Sequence, residues 1–132
     1  MKTKLPSFNL QEMLIVLAII GILLLIALPN LMPLITKAKS VEAQTQLRAI
    51  YQAQTTHWYI NSKYSDRFEE LDFIPPKSVL EGGNANYRYE IIETDGTGFK
   101  AIAEAVIDFD GDGIKNLWEI DENGVPKQIL KD

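Results

Sequence analysis

Sixteen consecutive residues, Met13 to Leu28 (MLIVLAIIGILLLIAL), carry no charge and no strong hydrogen-bonding side chain. Extended to Ile35 the run reaches twenty-three residues, interrupted only by Pro29, Asn30 and Pro33. A hydrocarbon core about 30 Å thick needs roughly 20 helical residues, so the segment spans a membrane if those interruptions are tolerated. Charge divides along the same line: residues 1–35 hold Lys2, Lys4 and Glu12, whereas 36–132 hold eleven bases and seventeen acids. Lys2 and Lys4 favour leaving the leading end in the cytoplasm, and Lys37 and Lys39 weaken that bias without reversing it. The acidic remainder then lies on the other side. A secretory signal peptide has a similar plan, but this run is at or past the long end for such a segment, and ALPNLMP after it offers no small-x-small cleavage site. Neither scheme accounts for Glu12. A carboxylate there costs about a few kcal/mol if drawn into lipid, and acids so placed normally have a cationic partner.

The rest of the composition narrows the function classes. A length of 132 residues supports one modest domain. A net charge of −5 without a basic cluster gives no electrostatic footprint for nucleic acid. There is no cysteine, which removes disulfides, thiolate metal sites and cysteine nucleophiles, and the single histidine, His57, lacks a partner for the usual zinc or triad arrangements. No nucleophile–base pair is visible, and an enzyme is not expected.

The segment Ser7-Phe8-Asn9-Leu10-Gln11-Glu12-Met13-Leu14-Ile15-Val16-Leu17, with AIIGILLLIALPN after it, resembles the type IV pilin and type II secretion pseudopilin family. A short basic leader, Phe8, a glutamate four residues later, a long apolar run and Pro29 at fixed spacing carry the likeness; Ser7 stands where the family prefers glycine, and Asn9 and Gln11 replace its commoner residues. The resemblance implies that residues 1–7 are a leader, that a prepilin peptidase cuts between Ser7 and Phe8, and that the new Phe8 amine is methylated. It also implies that Glu12 pairs with the amine of a neighbouring subunit during assembly on an inner-membrane platform. Physically this is coherent, because cleavage creates a cation one helical turn from Glu12. A buried pair of this kind fixes register more dependably than it adds stability. The alternative reading leaves Glu12 in the headgroup layer, where it favours the helix N-terminus electrostatically.

Pro29 and Pro33 each lack an N–H, freeing the carbonyls of Leu25 and Pro29, and each costs about 3 kcal/mol in a regular helix. A helix break, as a kink or unwound stretch, is therefore expected between about Gly21 and Pro33. Residues 8–35 would form the transmembrane and filament-core helix, and 36–132 a globular head. From Thr36 to Ser62 there is no glycine or proline, and Ala43, Leu47, Ile50, Tyr51, Gln54 and Trp58 share a helical stripe. His57, Trp58, Tyr59 and Tyr64 read as core and rim rather than a cofactor site. Residues 63–85 form a connector with a short helical piece, anchored by Phe68, Leu71, Phe73 and Ile74. From residue 86 the period becomes two: Tyr87, Tyr89 and Ile91 share one face, as do Phe99, Ala101, Ala103, Ala105 and Ile107 after the Asp95–Gly98 turn. Leu117 to Asp121 and Val125 to Leu130 complete three to four strands. The fold class expected is α+β, a long N-terminal helix on an antiparallel sheet, which is also the pilin architecture.

Between the second and third strands, Asp108, Asp110, Asp112, Ile114, Asn116 and Glu119 match the D-x-D-x-D-G-x5-E spacing of a calcium loop. The carboxylates at alternate positions would converge at Gly113, Ile114 giving a backbone oxygen, Asn116 a side-chain or water-mediated one and Glu119 two. The flanking strands argue against an EF-hand, and a solvated hairpin loop with glycines at positive φ is the plainer alternative. The reading that ties these features together is a structural subunit, held in the inner membrane as a precursor and polymerised through its N-terminal helix into an extracellular pilus. The alternatives are the major pseudopilin of a secretion system, which assembles in the periplasm, and a monomeric, membrane-anchored calcium-binding module.

Overall fold

A computed structural model describes residues 7–132; the rest of the leader lies outside the described residues. The chain divides into two compact units, residues 1–35 and 36–132. One helix, α1 (Leu10–Asn61), enters both.

In the first unit α1 stays helical through Pro29 and Pro33. Of the kink or unwound stretch expected between about Gly21 and Pro33, the unwound stretch is absent. Each proline deletes one ladder bond, but the flanking leucines and isoleucines keep theirs, and prolines are tolerated in apolar helices when other groups serve the freed backbone. Asn30 Nδ2 donates to the Ile26 carbonyl at 3.0 Å, adding a side-chain bond to the turn that Pro29 interrupts.

In the second unit α1 buries Thr36, Ser40, Ala43, Leu47, Ile50 and Gln54, a three-and-four spacing that places all six on one face. Trp58, expected on this stripe, is exposed at its far end, while Tyr51 is half-buried. The helix stops where Ser62 adopts a left-handed φ of 55°, its N–H closing a last bond to the Trp58 carbonyl at 2.7 Å.

Four antiparallel strands, β1 (Tyr87–Thr94), β2 (Phe99–Ala105), β3 (Leu117–Asp121) and β4 (Lys127–Leu130), lie in the order β1-β2-β3-β4. β2 buries Phe99, Ala101, Ala103 and Ala105 on alternate positions and ends there, so Ile107, expected on that face, is exposed in the following loop. Across the ladder Tyr87 faces Ala105 and Tyr89 faces Ala103. Small residues in a middle strand beside tyrosines and below Leu47 and Ile50 form one contiguous core, the large-beside-small arrangement that reaches close packing. A register shift between Ile91 and Glu93 leaves Ile92 as the extra residue of a bulge.

The connector 63–85 is fastened by polar clamps. The amide of the fully buried Gln54 donates to the Ser65 carbonyl at 2.6 Å and accepts the Ser65 N–H at 3.0 Å. Two short 3₁₀ turns follow, Phe68–Leu71 and Val79–Glu81. Leu71 is buried and Phe68 and Phe73 half-buried against the core, but Ile74 is 90% exposed and anchors nothing. Gly83 is required sterically, since a Cβ there would sit 2.0 Å from the Lys77 carbonyl oxygen. At the end of the connector the Glu42 carboxylate on α1 accepts both the backbone N–H and the side-chain amide of Asn86, at 2.9 and 2.8 Å, and this pins the start of β1.

Candidate functional site

The first unit is an apolar helix with nothing covering it. From Phe8 to Ile35 all side chains are exposed, and its best 18-residue window has a mean hydropathy of 2.9. By length and composition it can cross a membrane. Ser7 and Phe8 precede the helix and are exposed, Phe8 by 78%.

Glu12 is at the third helical position, and Asn9 is the cap before it. The Asn9 Oδ1 accepts the Glu12 N–H at 3.1 Å, and Glu12 Oε2 accepts the Asn9 N–H at 3.2 Å. This is a reciprocal capping box, in which two donors at the helix start are satisfied together. In the sequence Asn9 stands out only as a departure from a family pattern. The signal was available as an N-cap residue three positions before a glutamate.

In the second unit the loop 106–116 does not gather the six expected ligands. Asp108 collects backbone donors instead, from Gly113 at 2.6 Å, Gly111 at 2.7 Å and Asp110 at 3.2 Å. These bonds, the Gly113 N–H foremost, hold its carboxyl below the ordinary range. Gly111 and Gly113 take φ of 82° and 87°, which side chains rarely adopt. Asp112 accepts the Ile114 N–H at 2.8 Å. Asn116 is fully buried and turned into the core, and Glu119 lies within β3 opposite Ile102 and Lys127. The carboxylate that does join the loop is Asp132, which accepts the N–H groups of Phe109 at 2.7 Å and Asp110 at 3.1 Å. Among the described residues, Asp108, Asp110 and Asp132 bring ligand oxygens within 4.8 Å of one another. The Asp112 N–H pulls the Asp110 carboxyl down, but desolvation and the charges of Asp112 and Asp132 together outweigh it, so the carboxyl is pushed up. Three carboxylates this close to one another fit a hard divalent cation in kind, though not with the six to eight oxygens of a complete calcium site.

Asn116 belongs instead to a buried polar chain. Its Nδ2 donates to Ser40 Oγ at 2.9 Å, and its Oδ1 accepts from Gln128 Nε2 at 3.3 Å. Ser40 Oγ donates to the Thr36 carbonyl at 3.0 Å and meets Tyr87 Oη at 3.5 Å. With its proton committed to Thr36, the serine oxygen serves as acceptor for both Asn116 and Tyr87. Burial is the main reason the Tyr87 hydroxyl is pushed up. Lys39 lies over the Phe109 ring at 4.3 Å, and Phe109 meets Tyr87 edge-on.

The aromatic cluster is core and rim. Tyr64 packs on Phe99 at 5.2 Å and Trp58 stacks on Tyr64 at 6.4 Å. His57 sits at the rim beside Asn61, whose amide lies 3.2 Å from Nδ1. A groove of about 480 Å³ between the β1–β2 and β3–β4 turns is lined by Glu93, Asp95, Lys100, Asp121 and Glu122 among others, with no histidine, serine or cysteine.

No protein-family model matches the chain. The type IV major pilin protein PilA of Myxococcus xanthus (strain DK1622) is 41% identical to it over 76 residues, 58% of this chain and 34% of that protein. The match thus spans about a third of the length of the curated relative.

Proposed function

We propose that this chain is a type IV pilin, a structural subunit that polymerises through its N-terminal helix into a pilus filament; the 41% identity over 76 residues to a type IV major pilin and the α+β fold support this reading. The observation that carries this reading is the uncovered apolar helix with Glu12 at its head. Such a surface needs lipid before assembly and other copies of itself afterwards. In this proposal the precursor sits in the inner membrane, a prepilin peptidase cuts between Ser7 and Phe8, and the Phe8 amine is methylated. The assembly platform then adds the subunit to a surface filament. Phe8 and Glu12 act together: an ammonium on one copy meets the carboxylate of another, so an acid that is costly alone is neutralised within the fibre. Removing one partner of a buried pair costs about 3–5 kcal/mol.

Glu12→Ala should therefore leave membrane insertion intact and abolish fibres in sheared surface material. N-terminal sequencing of wild-type fibres should begin at N-methylated Phe8. A mature chain still starting at Met1, or one that stays solitary in the membrane when peptidase and platform are supplied, would overturn the reading.

Calcium is proposed only at the reduced cluster Asp108, Asp110 and Asp132, where a divalent cation would stabilise the Asp110 carboxylate against the desolvation and neighbouring charges that push it up. Asn116 and Glu119 are given no part in it.

A further inference from the structure

We infer that Asn9 is the positioning residue for Glu12: it holds the carboxylate at the start of α1 with one oxygen bound to its own chain and the other left for the ammonium of a second copy. This rests on the filament reading above. The two bonds between Asn9 and Glu12 involve only residues beyond the Ser7–Phe8 bond, so the box can exist with the leader attached or removed. While the leader is on, no free amine is present at Phe8, and the box supplies the acid with a donor. The positive end of the helix favours it further. Once the leader is gone the box still fixes where the carboxylate points. Among the described residues Glu12 Oε2 is engaged by the Asn9 N–H, and no donor meets Oε1.

An uncapped glutamate would lose this fixed geometry. Its long side chain samples several rotamers and can turn back toward headgroup water, and ordering it again would fall on the assembly step. The side-chain oxygen of Asn9 prevents this by holding the Glu12 amide and so ordering the first turn.

The test uses the processed full-length chain with Asn9→Ala, which removes the side-chain acceptor, and Asn9→Ser, which restores one. In detergent micelles, hydrogen exchange at the Glu12 amide should be about fivefold faster in Asn9→Ala, the factor one lost cap gives, and near wild type in Asn9→Ser. Fibre yield per processed subunit should fall several-fold in Asn9→Ala and recover in Asn9→Ser. Asn9→Val is the second non-capping variant should the peptidase fail to cut Asn9→Ala. Unchanged Glu12 exchange would overturn the box itself. Faster exchange with undiminished fibre yield would show that Asn9 caps the helix but positions nothing. Wild-type chains that form no fibres would remove the filament reading and this role together, and the exchange result would still decide whether the box forms.

Discussion

The two units place the same kinds of side chain in opposite surroundings. Leu23, Leu24 and Ile26 of the first unit are exposed, whereas Leu47 and Ile50, on the same helix, have no exposed surface. Helix propensity does not distinguish them. What differs is the polar spacing: beyond Thr36 charged and amide residues occupy the positions between apolar ones, leaving one stripe to meet a sheet, while before it no polar side is present. An apolar helix with no polar side is built to be covered by something outside its own chain.

Substitutions can sharpen this contrast. Leu47→Ala should destabilise the head by about 2–5 kcal/mol, because both the buried leucine and the space it fills are lost. Leu24→Ala, on the uncovered helix, should leave the head's thermal midpoint unchanged; both are read by near-UV circular dichroism in detergent. Equal shifts would mean that the two regions do not differ in burial.

A smaller loss, about 1–3 kcal/mol, is expected for Asn116→Ala, which strips Ser40 Oγ and Gln128 of their partner in a buried site. The same assay would measure it, with Glu119→Gln as the contrast expected to change little.

Asp110→Asn should have the smallest effect and the opposite sign. It keeps the oxygen that accepts the Asp112 N–H and removes the repulsion with Asp112 and Asp132, so without divalent ions the midpoint should rise slightly. If calcium binds, it should raise the wild-type midpoint and leave that of Asp110→Asn unmoved; equal wild-type melting in calcium and in chelator would rule the cation out. Acid separates the neighbouring carboxylates. Asp108 and Asp95 are held below the ordinary carboxylate range by backbone donors, Gly113 and Thr97 respectively being the leading ones, so their contribution is present above that range and fades as pH drops through their folded values. Asp110 is shifted the other way, and its unfavourable contribution is relieved as it takes up a proton. A pH series of Asp108→Asn should therefore lose acid sensitivity in the window where wild type shows it.

Periodicity carried most of the fold. The three-and-four spacing from Ala43 to Gln54 and the alternation through Tyr87, Tyr89 and Phe99–Ala105 correspond directly to buried faces, because burial on one side of a regular element leaves a rhythm in sequence. The acidic loop was less legible for a different reason. Spacing says which residues are near one another along a loop but not which way each turns. Asn116 had a better offer from Ser40 in the core, and Asp132 reaches the loop only because β4 returns the chain beside it. At Pro29 and Pro33 the local penalty does not unwind the helix, because the cooperative ladder on either side outweighs it. Ile74 is exposed because apolar character alone does not bring a connector residue against the core.

The alanines of β2 set a tolerance for the head as a whole. Ala101, Ala103 and Ala105 have essentially no exposed surface, and each extra methyl along that seam would have to displace a tyrosine or a helix side chain. Substitution is thereby best tolerated at outward positions such as Ile74 of the connector, where a changed side chain meets solvent. The seam keeps a constant interior while the exterior is free to take on new chemistry.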